Sequence, residues 1–225
     1  MNKKIVIFNG SPRPKGNTHF LTNQFIKGAS TNTEDIIYYD ANKVNVKNCG
    51  GCLRCNLIKK CSITSDDWTE ISKNILDADI LVFATPIYFH HVTAPLKTII
   101  DRFRSFLHIK ITETGLIHTP YQEWKKDIVL ILPMGSSDVS DAQPVIDLFN
   151  FITDEFGEEN KLHIITGTRL AITNQVVRSS DALKVLYKKL GLPIKNAETD
   201  YIRNQKLLKK CFDTGKMLTF KQLYF

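Results

Sequence analysis

Apolar residues fall along this chain in two alternating patterns. Residues 3–9 carry a short continuous run, Ile5-Val6-Ile7-Phe8, closed by Asn9 and a Gly/Ser/Pro segment. From 17 to 29 the apolar positions are Phe20, Leu21, Phe25 and Ile26, the spacing of one helix face. The pair of patterns then repeats. Residues 35–39 form a second run ending at Asp40, and Trp68, Ile71, Ile75 and Leu76 mark a helix behind Asp66 and Asp67, whose carboxylates suit a helix N-terminus. A third run, 80–85, stops at Pro86, and Leu96, Ile99, Ile100 and Phe103 follow Pro95 with helical period. Residues 127–132 are the most apolar run, Val145, Ile146, Phe149 and Ile152 predict another helix, and 162–166 is a last strand before two basic helices. Between these, 49–61 predicts a loop with little regular structure and about 108–125 an irregular insertion.

Strands that are apolar without interruption, each followed by a helix, predict an α/β fold: a doubly wound, five-stranded parallel sheet with helices on both faces. In such folds ligands bind beyond the carboxyl ends of the strands. The loops at 10–18, 40–61, 86–93 and 133–139 are therefore where chemistry is expected. No internal repeat or linker interrupts the pattern, so residues 1–225 are expected to form one domain, with a Cys-rich loop at 45–62.

Composition narrows this further. With 43% hydrophobic residues, 13 Phe, 7 Tyr and 2 Trp, the chain has the material for one sizeable core and is not disordered. No apolar run approaches the roughly 18 residues of a membrane span. The run after Lys3 and Lys4 is too short for a secretion signal, which needs about 7 to 15 apolar residues. A soluble, cytoplasmic protein is expected. The net charge of +7 belongs entirely to residues 182–225, which hold ten Lys or Arg and three acidic residues. There Lys184, Lys188, Lys189, Lys206, Lys209 and Lys210 interleave with leucines at helical spacing, the pattern of solvated helix faces rather than a nucleic-acid patch.

Two segments carry candidate chemistry after the strands. Gly10-Ser11-Pro12-Arg13-Pro14-Lys15-Gly16-Asn17-Thr18 joins the first strand to the first helix, and a phosphate there would meet helix-start N–H groups, the Ser11 and Thr18 hydroxyls and the Arg13 guanidinium. It lacks the Lys-Ser/Thr pair of a P-loop and the third glycine of a dinucleotide fingerprint. Thr85-Pro86-Ile87-Tyr88-Phe89 leaves the third strand with an ordering proline and two aromatics suited to a flat ring, with Gly135 and Ser136 placed to close its far side. His90 and His91 adjoin this loop. No Ser-His-Asp or paired-carboxylate arrangement stands out, so no catalytic acid or base is assigned.

The cysteines are the third signal. Five is an odd number, and Cys49, Cys52, Cys55 and Cys61 crowd into thirteen residues with the spacing C-x2-C-x2-C-x5-C, unlike a secreted disulfide framework. Three thiolates at intervals of three can wrap a [4Fe-4S] cluster, and Gly50 and Gly51 permit the tight path this needs. Free or disulfide-forming thiols, and zinc, are the alternatives on spacing alone. Lys47, Arg54, Lys59 and Lys60 favour thiolate in each case, and Cys211 stands apart as a helix-surface or core thiol.

From Lys3 to about Phe103, with the segment near Gly135, the chain resembles the NAD(P)H-dependent FMN reductases of the flavodoxin-like superfamily, and especially their iron-sulfur flavoprotein branch. The likeness rests on Gly10-Ser11-Pro12-Arg13 with Gly16-Asn17-Thr18, on the cysteines with Asp66-Asp67, and on Thr85-Pro86-Ile87-Tyr88-Phe89 leading to Ala94-Pro95-Leu96-Lys97 and Asp101-Arg102. It implies a flavodoxin-like sheet, with Ser11, Arg13, Asn17 and Thr18 on the FMN phosphate and Pro86, Ile87, Tyr88 and Phe89 at the isoalloxazine ring. It further implies an enzyme that takes electrons from NAD(P)H and passes them to a small acceptor such as a flavin, quinone or nitroaromatic compound. The alternative it implies is an electron carrier using FMN and a [4Fe-4S] cluster with a ferredoxin-like partner. A homodimer or higher homo-oligomer is expected on the same resemblance.

Overall fold

In a computed structural model, which describes residues 2–220, five parallel strands form one sheet in the order β2-β1-β3-β6-β7. They are β1 (Ile5–Asn9), β2 (Ile36–Asp40), β3 (Ile80–Ala84), β6 (Asp127–Pro133) and β7 (Lys161–Gly167); β4 and β5 lie outside this sheet. The register is continuous, with Ile5 opposite both Ile36 and Ile80, and Ile80 opposite Asp127. Side chains alternate faces along each strand, and both faces are buried. Val6, Phe8, Leu81, Phe83, Ile128 and Leu130 face one core, covered by α3 (Trp68–Asp77), α4 (Ala94–Asp101) and α5 (Gln143–Phe156). Ile5, Ile7, Ile80, Val82, Val129 and Ile131 face the other, covered by α1 (Asn17–Ala29) and α7 (Asn196–Thr219). The uninterrupted apolar runs thus have their physical cause in two-sided burial, and the flavodoxin-like order is as expected. A short helix, α6 (Ser180–Lys189), packs on α7 through Leu183 and Tyr187.

Helices α1 and α7 approach closely enough to require glycine. A Cβ on Gly28 would stand 1.9 Å from the Phe212 carbonyl oxygen, and one on Gly215 would stand 2.2 Å from that of Phe25. Cys211 lies fully buried in this contact, and burial pushes its thiol up to about 12. It is a core thiol.

The segment at about 108–125 is not irregular. It contains an antiparallel hairpin of β4 (Leu107–Thr112) and β5 (Gly115–Pro120), paired from Leu107 with Pro120 to Thr112 with Gly115. Its connection, Glu113-Thr114, lacks the Asn-Gly or Asp-Gly signature of a two-residue hairpin turn, so the hairpin carries no local turn signal. The cysteine loop also holds a single helical turn, α2 (Cys55–Ile58). Among the described residues no helix is long and apolar enough to cross a membrane.

Candidate functional site

At the carboxyl end of the sheet the loops after β1, β3, β6 and β7 enclose a cavity of about 240 Å³, open on one side. Their mutual placement begins with Gly10, whose N–H donates to the Ala84 carbonyl and whose carbonyl accepts from Thr93 Oγ1 at 2.8 Å. A Cβ at position 10 would lie 2.6 Å from Thr93 Oγ1, so only glycine lets the first loop lie against the start of α4. Beyond it Ser11 Oγ accepts from the Arg13 N–H, and Gly16 donates its N–H to the Arg13 carbonyl, curling the loop into the first turn of α1. The first N–H groups of that helix have no partners within it and border the cavity.

The structure brings Ser11, Arg13, Asn17, Thr18, Pro86, Ile87, Tyr88 and Gly135 to this one cavity. Phe89 and Ser136 stand outside its lining. Phe89 is fully exposed at the tip of a two-residue turn in which Tyr88 and His91 exchange reciprocal backbone hydrogen bonds of 3.0 Å. Phe89 and His90 both occupy the left-handed region, with φ of 48° and 60°, unusual for side chains of that size. The Ser136 carbonyl accepts from the Arg169 N–H, and its hydroxyl accepts from the Asp138 N–H.

Asn17 has a more specific place than its spacing suggested. Its Nδ2 donates to the carbonyls of Leu170 and Ile172 at 3.0 and 2.9 Å, and its Oδ1 accepts from the Val176 N–H at 2.9 Å. The side-chain amide is thereby committed to the loop after β7, and its backbone N–H is what it offers a ligand. Arg13 Nη1 donates to the Ala171 carbonyl at 3.0 Å, leaving its other N–H groups for the cavity. Leu170 and Ala171 complete the wall; a Cβ on Gly135 would come within 3.3 Å of that of Ala171. Sequence reasoning stopped at the loop after β6, although the same rule applied to β7 would have pointed to 168–176.

Among the described residues Arg13 is the only cationic side chain lining the cavity, and no carboxylate or histidine lines it. The donor set suits a monoanionic or dianionic phosphate at one end, with Pro86, Ile87, Tyr88, Pro133 and Met134 forming an apolar wall at the other. This arrangement can bind and orient a phosphate-bearing flat ring; it carries no general base.

A second pocket gathers all four clustered cysteines. Cys49, Cys52, Cys55 and Cys61 line it together with Arg102 and Arg104. Cys55 is buried, Cys49 and Cys61 are partly so, and Cys52 is exposed. Backbone and Ser62 hydrogen bonds pull the Cys52 thiol down, while burial pushes that of Cys55 up. Of the basic residues expected to favour thiolate, Arg54 does so at Cys52, through its backbone and its charge, whereas Lys47 Nζ donates to Ser65 Oγ. The guanidinium groups within reach of sulfur come from the turn after α4. Arg102 Nη2 lies 3.2 Å from Cys61 Sγ, and Arg104 Nη1 lies 3.4 Å from Cys55 Sγ. Arg102 is held by a fully buried ion pair to Asp66 at 2.6 Å, by the Lys47 carbonyl at 2.7 Å and by the face of Trp68. Burial pushes the Asp66 carboxyl up, but bonds from Arg102 and the Lys47 N–H outweigh it and hold it below its ordinary range.

Among the described residues no three Cys, His, Asp or Glu side chains converge on one point as a single zinc ion would require. A cubane spreads its ligands over four metal corners, and four cysteines around one pocket with two N–H donors fit it chemically. The pocket encloses about 20 Å³, room for about one water. Gly50 and Gly51 border open space, since a Cβ at either position would meet nothing within 4 Å.

Comparison with known proteins bears on both pockets. An iron-sulfur flavoprotein of Methanocaldococcus jannaschii, MJ0731, is 33% identical over 104 residues, 46% of this chain and 52% of that protein. A Bacillus subtilis protein, YwqN, whose name describes an NAD(P)H-dependent FMN-containing oxidoreductase, is 30% identical over 105 residues, 46% of this chain and 54% of its own. The chain thus spans about half the length of the curated relatives it matches. An NAD(P)H:quinone oxidoreductase from Methanothermobacter marburgensis superposes with a TM-score of 0.64 at 14% identity, covering 97% of this chain and 100% of that one. An FMN-dependent NADH-azoreductase from Bacillus anthracis, solved with FMN, also gives 0.64, at 13% identity over 96% of this chain and 100% of its own. At these identities the structures speak for the fold. The loops that build the cavity fall inside residues 3–172, the span matched by the family described as NADPH-dependent FMN reductase, and the chain belongs to that family.

Proposed function

We propose that this chain binds FMN in the cavity at the carboxyl end of the sheet and acts as an oxidoreductase, taking electrons from NAD(P)H and delivering them to a small acceptor such as a flavin, quinone or nitroaromatic compound. The observation that carries the reading is a cavity with one cation, Arg13, beside the start of α1, and an apolar wall from the loops after β3 and β6. Arg13 and the first N–H groups of α1 neutralise the phosphate. Pro86, Ile87 and Tyr88 hold one side of the ring, and Met134 and Gly135 exclude water from the other. When bound, FMN supplies the two-electron chemistry by accepting hydride from nicotinamide. No side chain need move a proton to bring the two rings together, which agrees with a lining that among the described residues holds no carboxylate or histidine.

The test is steady-state oxidation of NADH and NADPH by FMN-loaded protein, against free FMN at equal concentration. Faster nicotinamide consumption supports the reading; a rate equal to free FMN refutes it. Arg13→Ala should weaken FMN retention by roughly 1.5 to 3 kcal/mol through loss of a charge-assisted contact, and unchanged retention refutes that role. A second reading, an electron carrier in which the cysteines hold a [4Fe-4S] cluster and exchange single electrons with a ferredoxin-like partner, is favoured by the convergence of all four cysteines on one pocket. Iron and sulfide assays on protein purified without oxygen decide it: about four irons per chain support it, and flavin without iron excludes it.

A further inference from the structure

The two sulfur-directed arginines are not equivalent. Arg102 meets a carboxylate, Asp66, in a pair with no solvent exposure, so its charge is largely compensated. Arg104 has no carboxylate partner among the described residues: its Nη1 donates to the Leu107 carbonyl at 2.8 Å and reaches Cys55 Sγ, and its Nη2 donates to Asn56 Oδ1 at 2.8 Å. The latter bond belongs to a clamp, because Asn56 also accepts from the Ile109 N–H and donates to the Ile109 carbonyl, and Tyr121 Oη donates to the Cys55 carbonyl. Cys55, the first residue of α2, therefore lies between the turn after α4 and the hairpin, with an uncompensated guanidinium at its sulfur.

We propose that Arg104 and Arg102 are positioning residues of the cysteine site: they donate N–H groups to Cys55 and Cys61, and Arg104 sets the reduction potential of the iron–sulfur group that the four cysteines bind. The proposal rests on the electron-carrier reading of the same pocket. Adding an electron to such a group increases negative charge on its sulfurs, so N–H donors and an unneutralised cation favour the reduced form, while removing them disfavours it. Arg102 contributes a hydrogen bond but little net charge. Arg104 contributes both, and its loss is the larger perturbation.

The experiment is anaerobic redox titration of iron-loaded protein, following the cluster by electron paramagnetic resonance and the flavin by its visible absorption. Arg104→Gln should lower the cluster's potential so that, at a fixed applied potential, the reduced-to-oxidised ratio falls about tenfold, equivalent to about 59 mV for a one-electron couple. Arg104→Lys, which keeps the charge without the planar fork, should restore part of this and carries the test if the glutamine variant does not fold. Lys60→Gln removes an exposed charge from the same loop and should shift the potential much less. The flavin potential should not move. A cluster potential unaltered in Arg104→Gln, or altered no more than in Lys60→Gln, overturns the proposal and leaves the electron-carrier reading standing. Wild-type protein that takes up no iron and sulfide overturns both.

Discussion

Replacing Asn17 with alanine tests whether this residue organises the cavity or touches the ligand. The side chain is almost wholly buried and satisfies three backbone groups of the loop after β7. Its removal leaves the Leu170 carbonyl and the Val176 N–H buried without partners, while the Ile172 carbonyl, nearer the surface, can take a water. At about 1 to 3 kcal/mol for each stranded group, and with some relaxation of the loop, the expected loss is roughly 3 kcal/mol. For a chain of this size that lowers Tm by about 6 to 12 °C. Urea unfolding followed by the fluorescence of the buried Trp68 and Trp124 measures the loss directly. Asn17→Asp, nearly identical in shape, should be at least as harmful, since a carboxylate oxygen would face two carbonyl oxygens. The functional arm compares FMN with riboflavin, which lacks the phosphate. A loop organiser weakens both ligands by similar factors; a phosphate ligand weakens FMN alone. A stability loss below about 1 kcal/mol, or a defect confined to FMN, refutes the assignment.

Other expectations follow from the same geometry. Gly28→Ala should destabilise by about 2 kcal/mol despite a helix-propensity gain of about 1, because the new methyl meets the Phe212 carbonyl; an unchanged melting temperature would show that α1 and α7 are not in this contact. Lys126 is buried with its Nζ on the carbonyls of Leu76 and Ala78, and burial lowers its pKa to about 8. Since the unfolded chain keeps that proton to about 10.4, the unfolded state binds more protons between these values, and stability should rise with pH across that window. Lys126→Met should lack this slope, and parallel pH profiles for the two proteins would disprove the shift. Replacing Phe89-His90 with Asn-Gly should relieve two left-handed residues and stabilise the turn by about 1 to 2 kcal/mol. Calorimetry showing no gain would mean the turn is unstrained.

The sheet was legible because β1, β3 and β6 are buried on both faces, which leaves an apolar run that no amphipathic element produces. The first and third loops were legible for a related reason: Gly10, Gly16 and Pro86 punctuate strand ends, and ligands gather at strand ends. Contacts made at long range left no local trace. The arginines at Cys55 and Cys61 lie more than forty residues away in sequence, and helical spacing gives no sign of where a guanidinium reaches. The family resemblance puts Asn17 on the FMN phosphate, and nothing local contradicts it, whereas its three side-chain bonds reach residues some 155 positions on. Gly28 and Gly215 carry no local signal, since a missing side chain is meaningful only against the partner it admits.

Helix α4 lines neither pocket, but it and the residues that flank it hold segments of both. Thr93, just before it, holds the Gly10 carbonyl; Thr98, one turn in, donates to Asn48 Oδ1 beside Cys49; Arg102, at its end, reaches Cys61. Thr98 and Arg102 are four apart and share a face, while Leu96, Ile99, Ile100 and Phe103 turn toward the core. The relation between the two sites is therefore a matter of phase along one short rod of about 12 Å. A single inserted residue inside α4 would swing Arg102 about 100° away from Cys61 while leaving every cysteine and every cavity residue in the chain, so the helix's length is as much a part of the site as any side chain it carries.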